Sequence, residues 1–282
     1  MEKRVVGNSF FYAKNYNMKK YVLYGCIFFT SCVTTKTTKE NTSANNSMVV
    51  NGKLFTALYQ QKAAEYKALC FQAYNIAAIR VDQYQSKTSM PKAVITDIDE
   101  TILDNSPNAV HQALLGNGYD PQAWYEWSLK SNADTVPGAP AFFKYAASKG
   151  IEVFYITNRL EQERQSTLAN LRKYNFPNAD EAHLFLKSTT SSKETRRQQI
   201  SSTHEIIMLV GDNLGDFSSL FDKKSPADRN TNTELSINDF GNRFIVLPNP
   251  GYGDWEGALL NYNYKFTSAQ KDSVYKSVLK SY

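Results

Sequence analysis

The chain is poor in the residues that build disulfide scaffolds, histidine centres and membrane spans. It holds only three cysteines and three histidines in 282 residues. His111, His183 and His204 are scattered without metal-ligand spacing, which argues against histidine-based catalysis. There is no serine in a Gly-x-Ser-x-Gly elbow, no Gly-rich loop closing on Lys-Ser/Thr, and no internal repeat. No hydrophobic run is long enough to span a bilayer, because the longest apolar stretch near the N-terminus covers about ten residues where about twenty are needed. A one-sided charge is missing too, although the formal net charge of +5 suggests otherwise. Residues 1–31 carry five Lys or Arg and one acid, so the remainder holds 27 basic against 26 acidic residues. Beyond Arg196-Arg197 there is no basic stripe, and a nucleic-acid polymer is excluded as a partner.

The N-terminal segment has a purpose of its own. Met18-Lys19-Lys20 precedes the apolar stretch Tyr21 to Thr30, and Ser31-Cys32 follows. A basic start and a short apolar core read as a signal peptide over residues 1–31, with Met18 a more usual start than Met1. Phe29-Thr30-Ser31-Cys32 resembles a bacterial lipobox, which implies lipidation of Cys32 and a lipid-anchored protein of the bacterial cell envelope, periplasmic or outer-membrane. The plainer alternative is an ordinary thiol after a cleaved signal. Residues 32–47, rich in Thr, Asn, Ser and Lys, then form a flexible tether. Cys26 leaves with the leader and Cys32 takes lipid, so Cys70 has no partner for a disulfide. It falls on a helical face with Tyr66, Leu69, Ala73, Ala77 and Val81, and reads as a buried apolar residue.

The chemistry sits further on. Ala93-Val94-Ile95-Thr96 reads as a buried strand, and Asp97-Ile98-Asp99-Glu100-Thr101 follows at its carboxyl end. Ligand sites of α/β proteins gather at such ends. Two carboxylates this close repel unless a cation offsets them, and a hard divalent ion such as Mg²⁺ does so most simply. Alone, the pair also fits a solvated acidic turn. A second strand, Ile151 to Ile156, ends in Thr157-Asn158-Arg159; a third, Ile206 to Val210, ends in Gly211-Asp212-Asn213-Leu214-Gly215-Asp216. Lys193 opens a polar helical run between them.

Taken in order, Asp-x-Asp, Thr, Lys and Asp-x-x-x-Asp resemble the four motifs of the haloacid dehalogenase (HAD) phosphohydrolases. Asp97 to Ser106, Gly211 to Phe217, and Leu247-Pro248-Asn249-Pro250-Gly251-Tyr252-Gly253-Asp254-Trp255-Glu256-Gly257 are similar to the bacterial class C acid phosphatases, lipoprotein nucleotidases of that superfamily. Gly215 departs from this pattern, standing where an acid is expected. The resemblance implies a metal-dependent phosphatase that hydrolyses phosphate monoesters, in particular nucleoside 5'-monophosphates, through an aspartyl-phosphate. It assigns Asp97 as nucleophile and Asp99 as general acid and then base. Thr157 and Lys193 become phosphoryl contacts. Asp97 and Asp212, with the Asp99 backbone carbonyl, become ligands of one Mg²⁺, and Asp216 binds a metal water or orients Lys193. Trp124 and Tyr252 match the two aromatics that bracket a nucleobase, while Trp127 and Trp255 suit the core better. Family members can pair, which leaves a homodimer open.

Two rival readings remain. One is a broad phosphomonoesterase acting on sugar phosphates or phosphoprotein. The other is a surface haem-binding lipoprotein, for which the chain offers no Cys-x-x-Cys-His and no axial His or Met marked by spacing.

The fold expected is α/β: a HAD-like Rossmannoid parallel sheet flanked by helices, in a domain over residues 48–282, with a small helical cap inserted at about 106–149. One or two long helices cover Asn51 to Lys87. Strands and helices then alternate as Glu152 to Thr157, Leu160 to Tyr174, Leu184 to Lys187, Lys193 to Ser201 and Ile206 to Gly211, a pattern that argues for a parallel sheet covered on both faces. Lys223 to Asn238 reads as a polar loop, Phe244 to Leu247 as a last strand, and the residues from about Ser268 as a C-terminal helix.

Overall fold

The computed structural model describes residues 47–282. The leader, Cys26, Cys32 and all but the last residue of the tether lie outside the described residues. The elements run α1 (Met48–Lys62), α2 (Ala64–Gln83), β1 (Lys92–Thr96), β2 (Leu103–Asp104), α3 (Ser106–Leu114), α4 (Pro121–Leu129), β3 (Asp134–Thr135) and α5 (Ala139–Ser148). They continue as β4 (Glu152–Leu160), α6 (Arg164–Lys173), β5 (Leu184–Lys187), α7 (Glu194–Ser201), β6 (Glu205–Gly211), α8 (Pro226–Leu235), β7 (Phe244–Val246), α9 (Asp254–Leu259) and α10 (Ser268–Val278).

Five strands form one parallel sheet in the order β5-β4-β1-β6-β7. Side chains of a strand alternate between its faces, and both faces here are apolar. Val94, Val153, Tyr155, Met208 and Val210 point into one core with α2, α5 and α6; Ala93, Ile95, Phe154, Ile156 and Leu209 point into the other, against Ile200 of α7 and Phe217. This explains why the strands read as unbroken hydrophobic runs. Tyr66, Cys70, Ala73, Ala77 and Val81 form the buried face of α2, whereas Leu69 of the expected face is 43% exposed.

The segment expected as a cap divides. α3 and α4 stand beside the carboxyl end of the sheet, joined to it by the antiparallel pair β2–β3. α5 belongs to the sheet's own cover, burying Phe142 and Phe143 against Tyr74 of α2. Its start turns on Gly138, at φ +91, where a Cβ would also press on Tyr74 and Phe71.

Three further expectations need correcting. Residues 226–235 are helical, because Ser225 caps the helix by accepting from the Asp228 N–H, Pro226 starts it, and its buried Arg229 donates to the Phe221 carbonyl. The polar sequence hid a helix whose inner face is a single arginine. β4 reaches Leu160, beyond the expected end at Thr157, since pairing with β5 resumes at Leu160 after a register shift. Trp255 is 45% exposed and is not a core residue.

Candidate active site

β1, β4 and β6 lie side by side, so their carboxyl ends meet. The Asp97 N–H donates to the Val210 carbonyl at 2.9 Å, which fixes the first aspartate beside the end of β6. The chain then turns sharply: the Ile98 carbonyl accepts from the N–H groups of Ile102 and Leu103, both at 2.9 Å. Glu100 takes φ +59 inside this turn, and the buried Tyr74 hydroxyl donates to the Thr101 carbonyl at 2.6 Å.

Asp97, Asp212 and Asp216 each bring a carboxylate oxygen within 4.8 Å of the others. Lys193, at the N-cap of α7 and 5% exposed, donates from Nζ to Asp97 and to Asp216, the latter at 2.7 Å. Burial works against the Lys193 charge, but Asp216 and Asp97 outweigh it and hold the ammonium above its ordinary pKa. One cation does not balance three anions. Burial, with repulsion from Asp216 and Asp99, pushes Asp97 up to about 7 despite Lys193. Burial, Asp216 and Asp97 likewise raise Asp212 well above the usual carboxylate range. Oxygen donors with uncompensated negative charge suit a hard divalent cation.

Asp212 is further oriented by the Thr101 hydroxyl at 3.0 Å and the Asn249 amide at 2.7 Å. Asp216 sits in the short 3₁₀ turn Leu214–Asp216, accepting from the Asn213 N–H at 2.9 Å. Arg197 donates to the carbonyls of Gly215 and Asp216, each at 2.9 Å, and so pins that turn. The departure at Gly215 has a local cause: a Cβ there would point at carboxylate oxygens of Asp222 and Asp254, 3.3 and 3.4 Å away. An acidic side chain would meet like charge.

Asp99 is not part of the carboxylate cluster. Its carboxylate is gripped by Arg159, with Nη2 to Oδ1 at 2.7 Å and Nε to both oxygens at 3.1 and 3.2 Å. Asn105 donates to Oδ1 at 2.9 Å, and the Thr157 hydroxyl lies 3.5 Å from Oδ2. The structure thus gathers Asp97, Asp99, Thr157, Lys193, Asp212 and Asp216 at one mouth.

The aromatics flank it. Trp124 of α4 donates its indole N–H to Glu163 at 3.1 Å and lies 5.8 Å from the Arg159 guanidinium by ring centroid. Tyr252 is 40% exposed and donates its hydroxyl to the buried Glu100, whose carboxyl is pushed up to about 8 by burial and Asp99. Trp127 packs partly against the core and donates to Asn105 at 2.8 Å.

Sequence reasoning missed Arg159, Glu163, Glu100, Asn105, Thr101 and Asn249. All but Glu163 lie within the motifs themselves or a few residues from them, but only the fold shows which carboxylate each one touches.

Comparison with known proteins decides the identity of this arrangement. A sequence model described as HAD superfamily, subfamily IIIB (Acid phosphatase) matches residues 17–255. The chain belongs to this acid phosphatase family. It is also 41% identical to the class C acid phosphatase from Bacillus anthracis, with a TM-score of 0.80, over 83% of this chain and 99% of that one. A second structure of that enzyme, with tungstate bound, aligns with the same identity and TM-score, covering 83% of this chain and 98% of that one. The chain is therefore a phosphoric monoester hydrolase with the HAD-like fold, and its clustered aspartates are of the kind that takes a divalent metal in this superfamily.

Proposed function

We propose that this acid phosphatase hydrolyses nucleoside monophosphates through an aspartyl-phosphate on Asp97, with one Mg²⁺ in the site. The observation that carries the reading is the partly buried Asp97–Asp212–Asp216 cluster with Lys193 across it. Asp97 and Asp212 would hold the ion, with the Asp99 carbonyl. When bound, the ion supplies charge neutralisation and Lewis acidity toward a phosphoryl oxygen. The Bacillus anthracis enzyme binds the oxyanion tungstate, which supports an oxyanion-binding function for this chain.

The protein's own groups then act in two steps. An Asp97 oxygen attacks phosphorus in line, and the bond to the leaving oxygen breaks as that oxygen takes a proton from the Asp99 carboxyl. Water next attacks the same phosphorus, gives its proton to the Asp99 carboxylate, and the bond to Asp97 breaks, releasing phosphate. Lys193 faces the attacking carboxylate and neutralises charge as it shifts onto the phosphoryl oxygens. Trp124 and Tyr252 would stack on the nucleobase, and stacking of this kind tolerates any nucleobase. With the leader and Cys32, the setting is a lipid-anchored enzyme of the bacterial envelope that turns charged nucleotides into nucleosides able to cross membranes.

The experiment is phosphate release from nucleoside monophosphates and sugar phosphates by a fragment starting near Met48, with Mg²⁺ and with EDTA. Release that needs the metal and favours nucleotides is expected, and Asp97→Asn should abolish it. Equal rates on every monoester would remove nucleotide preference and favour the broad phosphomonoesterase. Near wild-type turnover by Asp97→Asn would remove the nucleophile assignment.

A further inference from the structure

Arg159 is a buried cation that no motif role explains. Its side chain is 2% exposed, and its guanidinium spends three hydrogen bonds on the Asp99 carboxylate. The remaining contact is Nη1 to the buried Thr167 hydroxyl of α6, at 3.1 Å. Burial disfavours this charge, yet Asp99, Glu163 and Glu100 together hold it firmly protonated. The guanidinium is fixed on its far side as well. It lies over the Trp124 ring, whose N–H is anchored by Glu163, and Glu163 in turn accepts from the Leu160 N–H at 2.7 Å. Glu163 is itself buried, at 2% exposure. The result is a locked row, Asp99–Arg159–Trp124–Glu163, running from the reacting end of the sheet to the cap helix α4.

We propose that Arg159 is the positioning residue of the acid step. It fixes the Asp99 carboxyl where the leaving oxygen departs, and it stabilises the carboxylate that remains after the proton has gone to that oxygen. The same carboxylate, still held by the fork, is the base that takes the proton from water in the second step. A planar fork does this where an ammonium cannot, because it holds both oxygens and fixes the rotation of the carboxyl plane. The row also ties the position of Trp124 to that of Asp99, so the cap aromatic and the acid are set by one guanidinium. This inference rests on the reading of Asp99 as general acid.

The test exploits leaving-group dependence. An aryl phosphate such as p-nitrophenyl phosphate expels a stable phenolate and needs its proton little, whereas the alkoxide of a nucleoside monophosphate needs it greatly. Arg159→Gln is expected to lower the single-turnover rate of leaving-group release at saturating substrate about 10²-fold more for the nucleoside monophosphate than for p-nitrophenyl phosphate. Asp99→Asn is expected to show the same selectivity, more strongly. Arg159→Lys keeps the charge without the fork; it should fall on the same side and serves if the glutamine variant does not fold. An equal loss on both substrates in the Arg159 variants, with selectivity kept in Asp99→Asn, would overturn the proposal while leaving the acid assignment standing. Equal loss in Asp99→Asn as well would remove the acid reading and Arg159 with it.

Discussion

Replacing Lys193 by methionine tests the electrostatic core of the site. The side chain is nearly isosteric, so packing is kept while the only cation that, among the described residues, is bonded to the carboxylates of the Asp97–Asp212–Asp216 cluster is lost. Breaking a buried ion pair from one side typically costs about 3–5 kcal/mol, because the remaining charge is left without compensation. For a domain of this size that corresponds to a fall of about 6–20 °C in Tm. The measurement is thermal unfolding of wild type and variant in EDTA at pH 7 and near pH 4. The sign follows from Asp97, whose pKa is raised from 3.8 to about 7 in the folded chain. A raised folded pKa gives stability that is fully present below pH 3.8 and lost as pH rises through about 7. Removing Lys193 takes away an influence that lowers the pKa, so the variant's loss should be large at pH 7 and small near pH 4. Turnover with Mg²⁺ should fall about 10²–10³-fold, as for a preorganised donor. A Tm within 2 °C of wild type at pH 7 in EDTA, or a penalty that grows on acidification, would refute the reasoning.

Gly211→Ala places a Cβ 2.3 Å from Asp216 Oδ2 and 2.5 Å from its Cβ, so Asp216 or the backbone beside it must shift, and the Asp216–Lys193 pair is expected to be disturbed. We expect turnover to drop at least about 10²-fold; phosphate release at the wild-type rate would show that the Asp216–Lys193 pair is dispensable. Far from the site, hydrogen bonds from the Ser86 hydroxyl and the Lys87 N–H, with Tyr84 and Thr88, pull Glu205 down to about 2 from 4.5. Its contribution to stability is present above pH 4.5 and is lost as pH falls toward 2, so Glu205→Gln should flatten the acid-unfolding curve across that window. An unchanged slope would show that those bonds do not discriminate charge. Trp124→Ala and Tyr252→Ala should each raise KM for nucleoside monophosphates about 5- to 150-fold, the worth of one stacked base, while moving KM for p-nitrophenyl phosphate much less. Equal changes on the two substrates would remove the base bracket.

The order of strands and helices was legible because parallel strands buried on both faces must be apolar throughout, and Ala93 to Thr96, Ile151 to Ile156 and Ile206 to Val210 show it. The position of part of the site was legible for a related reason: Asp97, Thr157 and Asp212 stand directly after such runs, and chain direction carries them to one edge. Lys193, at the start of a polar helix, and Asp216 were recognisable only through the resemblance of the motif order to the HAD phosphohydrolases. α8 escaped because its inner face is one arginine, and hydrophobic periodicity cannot register a guanidinium that satisfies a carbonyl. Trp255 was placed inside because aromatics usually are, but burial depends on what packs over a residue.

What the sequence by itself determined is the parallel sheet and the carboxylates at its carboxyl end, since both follow from local pattern and direction. Only the tertiary structure decided which charge answers which. Lys193 closes on Asp97 across 96 positions and Arg159 on Asp99 across 60. Tyr252 reaches Glu100 across 152. Such pairings depend on distances between chain segments that no local pattern encodes, and they separate two aspartates one residue apart, Asp97 facing a lysine and Asp99 held in an arginine fork.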